Sequence, residues 1–324
     1  MQTPAQLEAY LNEYKGNLFE FLVAQKIAKH FNLEKKFYAD LPPQYLKKLQ
    51  TYESELRKLD DVLYKKLPEL AEQTLSSIIA SFDPAVQKVE LLGKISNNKQ
   101  SEHDILVTGS GRYPLSLKFC KSDSYVNTKN GGARSFLEQY FSAFNPTAAQ
   151  AEFNLYVEQQ FTIMMHEVHE SVGLTYLGNN QQWIQNGYTE LPGELENDQK
   201  EILSKYYYRL STKLYEILSS FYTRDREAFF DSIRALLGYS SQDLIQVMCF
   251  YKNSTAQRYD FQKIRTESWK KYLTSTDGWK ICEHKADVGN FEIDLISSRL
   301  QLRIKPMNKF TAPSVKINCS VKYL

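Results

Sequence analysis

Cysteine, glycine and proline are scarce in this chain, and long apolar runs are missing. The four cysteines, Cys120, Cys249, Cys282 and Cys319, lie far apart with no Cys-x-x-Cys pair. Neither a zinc knuckle nor a disulfide framework is therefore expected, and reduced thiols are the default. With 13 Gly and 10 Pro in 324 residues, long flexible linkers are not expected either. No window approaches the length of apolar chain that spans a bilayer, and MQTPAQLEAYLNEYKGN at the N-terminus lacks the basic-then-apolar pattern of a secretory signal. The expectation is a cytoplasmic protein without a membrane partner. Glycine-rich phosphate loops and the Gly-x-Ser-x-Gly nucleophile turn are also missing, which leaves nucleotide-binding loops and hydrolase triads without a starting point.

What the chain does have is material for a core: 42% hydrophobic residues, with 22 Tyr and 18 Phe. Lys and Arg number 40 against 38 Asp and Glu, a net charge of +2, so no global field selects a partner and any electrostatic message lies in local clusters. Residues 5–82 carry helical periodicity, first as a stripe of Leu18, Phe21, Leu22, Gln25 and Ile27, then as a long charged stretch over 43–82 that reads as a helical hairpin or packed arm. From residue 86 the texture changes to strands. Helix returns over 133–172, 197–222 and 225–237. The last third mixes a strand at 243–251, a helix at 259–273 and strands near 278–285, 291–297, 300–306 and 314–323. These patterns predict a mixed α+β (α/β) fold with a small mixed central sheet flanked by many helices. They divide the chain into a helical region at 1–85, a sheet-and-helix core at 86–145 and a C-terminal helical and β part at 146–324.

Within the core, HDILVTGSGRYPLSLKFCKS (103–122) reads as two short strands joined by a glycine turn. Asp104 opens the first strand and Lys118 interrupts the apolar run of the second. Residues two apart on a strand share a face, so Ser116 and Lys118 project together and Leu117 projects the other way. A carboxylate and a lysine on neighbouring strands have a chemical use in phosphodiester cleavage, where a divalent cation polarises the phosphate and activates water. Mg²⁺, for which Mn²⁺ can substitute, takes few protein carboxylates along with water and phosphate oxygens. The lysine stabilises the attacking hydroxide or the developing charge. The backbone carbonyl of Leu117 is a further candidate metal ligand.

Asp104, followed after a gap by Ser116-Leu117-Lys118, resembles the PD-(D/E)XK nuclease superfamily, best known from type II restriction endonucleases. Its signature is an acid at a strand start, then acid-x-Lys on the neighbouring strand; here Ser116 stands where an acid is usual. The resemblance covers about 86–144 and implies a restriction-endonuclease-like core and a Mg²⁺-dependent DNA endonuclease, with a homodimer implied by two-fold target sites. It also implies that another element lends the missing acid, either Glu138 in GGARSFLEQYF or Glu20 in KGNLFEFLVAQKIA. The candidate catalytic set is thus Asp104, Lys118, Ser116, Glu138 and Glu20, with Asp104, Leu117, Glu138 and Glu20 as metal ligands.

Three other acid–lysine patterns compete. Glu34 with Lys36 and Asp198 with Lys200 fall in helical texture; Asp277, Glu283 and Lys285 lie on one expected strand without a partner. His166 and His169, three apart, lack an evident third ligand and read as a polar helix face. After Asp294 no acid follows, while Arg303, Lys305 and Lys316 do, a local basic surface of the kind that contacts phosphates. The polar loop NTKNGGAR adds Asn127, Lys129, Asn130 and Arg134 as candidate DNA contacts. Two other readings stay open: a catalytically degenerate nuclease-fold DNA-binding protein, which Ser116 motivates, and a helical interaction or effector protein whose sheet is only structural.

Overall fold

The computed structural model describes residues 4–92, 103–121, 124–239, 243–253, 259–268 and 276–324. In chain order the helices α1 (Pro4–His30), α2 (Glu34–Asp40), α3 (Pro43–Leu59) and α4 (Asp61–Ile78) come first. The strands β1 (Lys88–Leu91), β2 (Ile105–Thr108), β3 (Arg112–Lys121) and β4 (Val126–Gly132) follow. Next are α5 (Phe136–Tyr140), α6 (Thr147–Glu170), α7 (Gln181–Gln185), α8 (Asn197–Arg224) and α9 (Arg226–Leu236). The chain closes with β5 (Ile245–Asn253), β6 (Tyr259–Ser268), β7 (Lys280–Ile281), β8 (Asn290–Asp294), β9 (Ser298–Pro306) and β10 (Val315–Tyr323). The fold is mixed α/β, as expected. The described strands form two five-stranded sheets, not one small central sheet.

The chain divides into two compact units, each built from two separate stretches: Met1–Ser124 with Tyr239–Thr274, and Tyr125–Gly238 with Ser275–Leu324. The expected division at 85 and 145 differs from this because β4 hydrogen-bonds to β10, while β5 and β6 return to the sheet begun by β1–β3. Strand pairing over long sequence separations decides the boundary, and local composition does not report it.

In the first unit the sheet order is β1-β2-β3-β5-β6, with β3 and β5 parallel and the other pairs antiparallel. Helix α1 packs on this sheet through a wider arc than the expected stripe, burying Leu18, Phe19, Val23, Ala24, Ile27 and Ala28. The arc is wide because α1 is covered on two sides: the Phe19 ring meets Phe119 of β3 at 5.5 Å, while Phe21 meets Phe37 of α2 at 6.0 Å. The charged stretch beyond residue 43 is two helices packed against α1, with Leu49, Tyr52 and Leu56 buried from α3 and Leu63, Leu67, Leu70 and Ala71 from α4. Asp60 separates them by accepting the Leu63 N–H at 2.9 Å, a side-chain cap on the start of α4. Inside the sheet face, Thr74 of α4 pairs with the Cys249 thiol at 3.3 Å.

The segment expected to be a helix at 259–273 is strand β6 as far as Ser268, and its last residues lie outside the described part. One extra residue in β6 opposes the Phe250/Tyr251 step of β5. That bulge switches the alternation of the strand, so no single period of two runs through its letters. NTKNGGAR, expected to be a loop, supplies β4. Gly131 has no side chain there because a Cβ would come within 2.9 Å of the Phe136 ring.

The second sheet runs β4-β10-β9-β8-β7, antiparallel throughout. Ile317, Cys319, Leu300, Leu302, Ile304, Phe291 and Ile293 form its buried face, which α8 covers. Helices α6 and α8 pack side by side. On α6, His169 does not lie on a polar face: it is fully buried between the rings of Tyr176 and Trp183 at 5.0 and 5.3 Å. Its Nδ1–H donates to the Met165 carbonyl at 2.8 Å, and Nε2 is left a bare acceptor with no partner among the described residues. Burial, and after it the charge of His166, hold its pKa below the ordinary 6.5 against the opposing pull of the Met165 carbonyl. The unfolded chain therefore takes up this proton first, so stability is complete above about 6.5 and drains away as the pH falls below it. His169→Phe should flatten the fall of the melting midpoint between about pH 7 and about pH 5; a variant curve parallel to wild type would show that His169 takes up its proton equally in the folded and unfolded states.

Candidate active site on the first sheet

Strand β3 outruns its neighbour. The β2 ladder ends where Ile105 faces Leu115, so the residues of β3 beyond it need other partners on that edge. Asp104 supplies them. Its N–H donates to the Leu115 carbonyl at 2.8 Å and its carbonyl accepts from the Leu92 N–H at 2.9 Å, which fixes its backbone on both sides. Its carboxylate oxygen Oδ2 then accepts the Leu117 N–H at 2.7 Å and the Ser116 hydroxyl at a longer 3.4 Å. No hydrogen bond reaches Oδ1 among the described residues.

Burial raises the pKa of Asp104 above its ordinary 3.8. The positive charge of Lys118 opposes this most strongly, followed by the Leu117 N–H, the Ser116 hydroxyl and His103. Asp104 and Lys118 thus interact through space, with no ion pair within 4 Å among the described residues. Of the four groups expected here, Asp104, Ser116 and Leu117 meet by hydrogen bonds, and Lys118 acts on Asp104 through its charge. In a strand the N–H and C=O of one residue leave on the same edge, so the Leu117 carbonyl departs on the edge that Asp104 caps.

Alternation fixes what surrounds them. Leu115, Leu117, Val247, Cys249 and Tyr251 belong to the apolar cluster under the helices. The opposite face carries Ser116 and Lys118, and in register with them Gln246 and Met248 of β5 and Glu267 and Arg265 of β6. Ser116, Gln246 and Glu267 form a buried polar row across three strands, only 3%, 1% and 6% exposed. The Arg265 Nε donates to Glu267. Sequence reasoning missed this row. Gln246 was visible as one polar letter inside DLIQVMCFY, whereas Glu267 was hidden by the helical reading of its segment.

The two acids expected to complete the set are placed as follows. Glu20 lies on α1 in the same unit, and its charge, after burial, raises the Tyr45 hydroxyl of α3. Glu138 lies on the five-residue α5 of the second unit and is exposed. Among the described residues no three His, Cys, Asp or Glu side chains converge as a metal cluster. A Zn²⁺-type cage of side chains is thus not formed by them, while Mg²⁺ is commonly held by one or two carboxylates with carbonyl, phosphate and water oxygens. A carboxylate with one braced and one uncommitted oxygen fits that donor chemistry. The rival acid–lysine patterns do not: Glu34 and Asp198 sit on helices α2 and α8, and β7 ends at Ile281, before Glu283 and Lys285.

The expected DNA contacts separate by face. Asn127 and Asn130 of β4, Arg303 and Lys305 of β9 and Lys316 of β10 project from the outward side of the second sheet. Lys129 faces the buried Cys319 instead, and its charge tempers the rise that burial imposes on that thiol. Arg134 lies beyond the strand and pairs with Glu158 of α6. Among the described residues no helix is long and apolar enough to cross a membrane. Comparison with protein-family models, curated proteins and solved structures finds no match to this chain.

A raised Asp104 pKa means that the ionised carboxylate is disfavoured in the fold, so its contribution to stability is present below the ordinary value and is lost as the pH rises through the raised one. In chelator-treated protein, Asp104→Asn should raise the melting midpoint by a few degrees near neutral pH, and the gain should vanish in acid where the wild-type carboxyl is protonated. A lower midpoint for the variant at neutral pH would mean that the Lys118 charge outweighs burial.

Proposed function

We propose that this chain is a Mg²⁺-dependent endodeoxyribonuclease that hydrolyses phosphodiester bonds in double-stranded DNA, of the site-specific type II restriction kind. The supporting observation is Asp104, a half-buried carboxylate with one oxygen fixed by the Leu117 N–H and the other uncommitted, beside the charge of Lys118. Asp104 and the Leu117 carbonyl would hold Mg²⁺, or Mn²⁺ in its place, with Glu20 of α1 in the same unit completing the set. A bound cation would supply Lewis-acid polarisation of the phosphate and a water of lowered pKa.

The chain's own residues do the positioning. Ser116 replaces the acid of the motif and braces Asp104 instead of adding charge. Lys118 shares its face and stabilises the negative charge that develops on the attacked phosphate. Cutting both strands at a two-fold target calls for a homodimer, and the reduced thiols suit the cytoplasm. A second reading, a nuclease-like DNA-binding protein without activity, is favoured by Ser116 and by the lack of three converging ligand side chains among the described residues.

Plasmid nicking separates the two. Lys118→Ala should lower Mg²⁺-dependent cleavage by at least about 10²-fold, the scale of losing one transition-state charge partner, while DNA binding in chelator persists. Full activity in that variant would remove the assignment. A wild-type protein that binds DNA and is inert with both Mg²⁺ and Mn²⁺ would establish the second reading.

A further inference from the structure

The second sheet carries cations arranged in a way that a solvated face does not require. Lys305 and Lys316 stand directly opposite each other on β9 and β10, with Arg303 two residues along on the same face. Like charges at directly opposed positions destabilise an antiparallel pair. Burial depresses the pKa of Lys305, and the neighbouring Arg303 and Lys316 charges depress it further. None of the three has an ion pair among the described residues. At the other end of the same face the opposite holds, since Arg299 pairs with Glu292 at 3.3 Å and Asp294 at 3.9 Å. One end is neutralised and the other is left strongly positive.

Beside the cations stands an amide cluster. The Asn318 Nδ2 group, opposite Arg303, donates to Asn127 Oδ1 at 2.6 Å and Asn130 Oδ1 at 2.7 Å. This fixes the amide plane of Asn318 and leaves its Oδ1 acceptor uncommitted among the described residues.

We infer that this face docks duplex DNA, with Arg303, Lys305 and Lys316 gripping phosphates and the braced Asn318 amide facing a base edge. The geometry suits a duplex backbone: neighbouring strands lie roughly 5 Å apart and alternate residues roughly 7 Å apart, so each of the three cations can reach a phosphate of its own. Of aromatic rings, the platforms on which single-stranded bases stack, the cation end of this face has none on β4, β8, β9 or β10; Tyr125, just before β4, is committed to Glu292 at the neutralised end. The DNA major groove admits a β-ribbon and exposes base edges to side-chain amides, whereas that of duplex RNA is too narrow to read. The inference concerns a different sheet from Asp104 and needs no cleavage, so it and the hydrolytic reading can fail separately.

The test is fluorescence anisotropy of the full chain with a labelled duplex DNA, in chelator, across a salt series. Wild type should bind with a steep dependence on salt. Arg303→Gln, Lys305→Gln and Lys316→Gln should each reduce the slope of log K against log salt by about 0.9, one phosphate apiece, with no fall in melting midpoint, because each relieves repulsion. Lys129→Gln, on the other face, should leave the slope unchanged. Asn318→Ala should keep the slope and narrow the preference between A·T-rich and G·C-rich duplexes. The assignment is overturned by wild-type slopes in the Arg303 and Lys316 variants, by an equal loss in Lys129→Gln, or by tighter binding of single strands or duplex RNA. An unchanged base preference in Asn318→Ala would remove the base-edge role.

Discussion

Alternation along β3 is the constraint on which the candidate site depends. A strand presents successive side chains to opposite sides, and the helices α1 and α4 claim one side of this sheet. Once Leu115, Leu117, Val247 and Cys249 are committed to that apolar layer, Ser116, Lys118, Gln246 and Glu267 have no choice of face. The polar row is thus a consequence of where the core lies. A one-residue slip of β3 against β5 would exchange every side chain between the two layers, and burying Lys118 under the helices would be far too costly to tolerate. The register that builds the core is the same register that builds the site.

Asp104 shows how the sheet handles its own irregularity. Because β2 stops short, an amide of β3 would be orphaned on an inner edge, and a carboxylate takes the place of the missing strand. A neutral acceptor would satisfy that amide equally well. A charged one in this half-buried position works against stability, since desolvation disfavours its ionised form. The disfavoured charge is held in place by backbone hydrogen bonds on both sides of Asp104.

The parts of the structure legible in sequence were those whose partners are near in sequence. The hairpin of β2 and β3, the placing of Asp104 near Lys118 and the shared face of Ser116 and Lys118 follow from turn chemistry and a period of two. The helices α8 and α9 were legible from long, strongly periodic patterns. What escaped depends on distant partners. β6 carries a bulge whose position is set by β5, so its letters imitate a helix. β4 is an edge strand of Asn, Lys and Gly that has no apolar alternation of its own and is recruited by β10. The bracing of Asn318 by Asn127 and Asn130 joins residues from opposite ends of the second unit, and no local pattern announces it. The burial of His169 was concealed because its aromatic neighbours arrive from the segment after its helix.

The parallel pairing of β3 with β5 has a temporal consequence. Leu115 faces Ile245, so during synthesis the strand bearing Ser116 and Lys118 emerges from the ribosome long before its inner neighbour exists. Until then one edge of β3 is open, with apolar residues on one side and unpaired amides along its rim, a template for wrong pairing. Nearly the whole first stretch of the second unit is translated in that interval. The nascent chain must keep this edge from other strands, through a chaperone or through the early helices, and the yield of folded protein should depend on translation rate more than its final stability suggests.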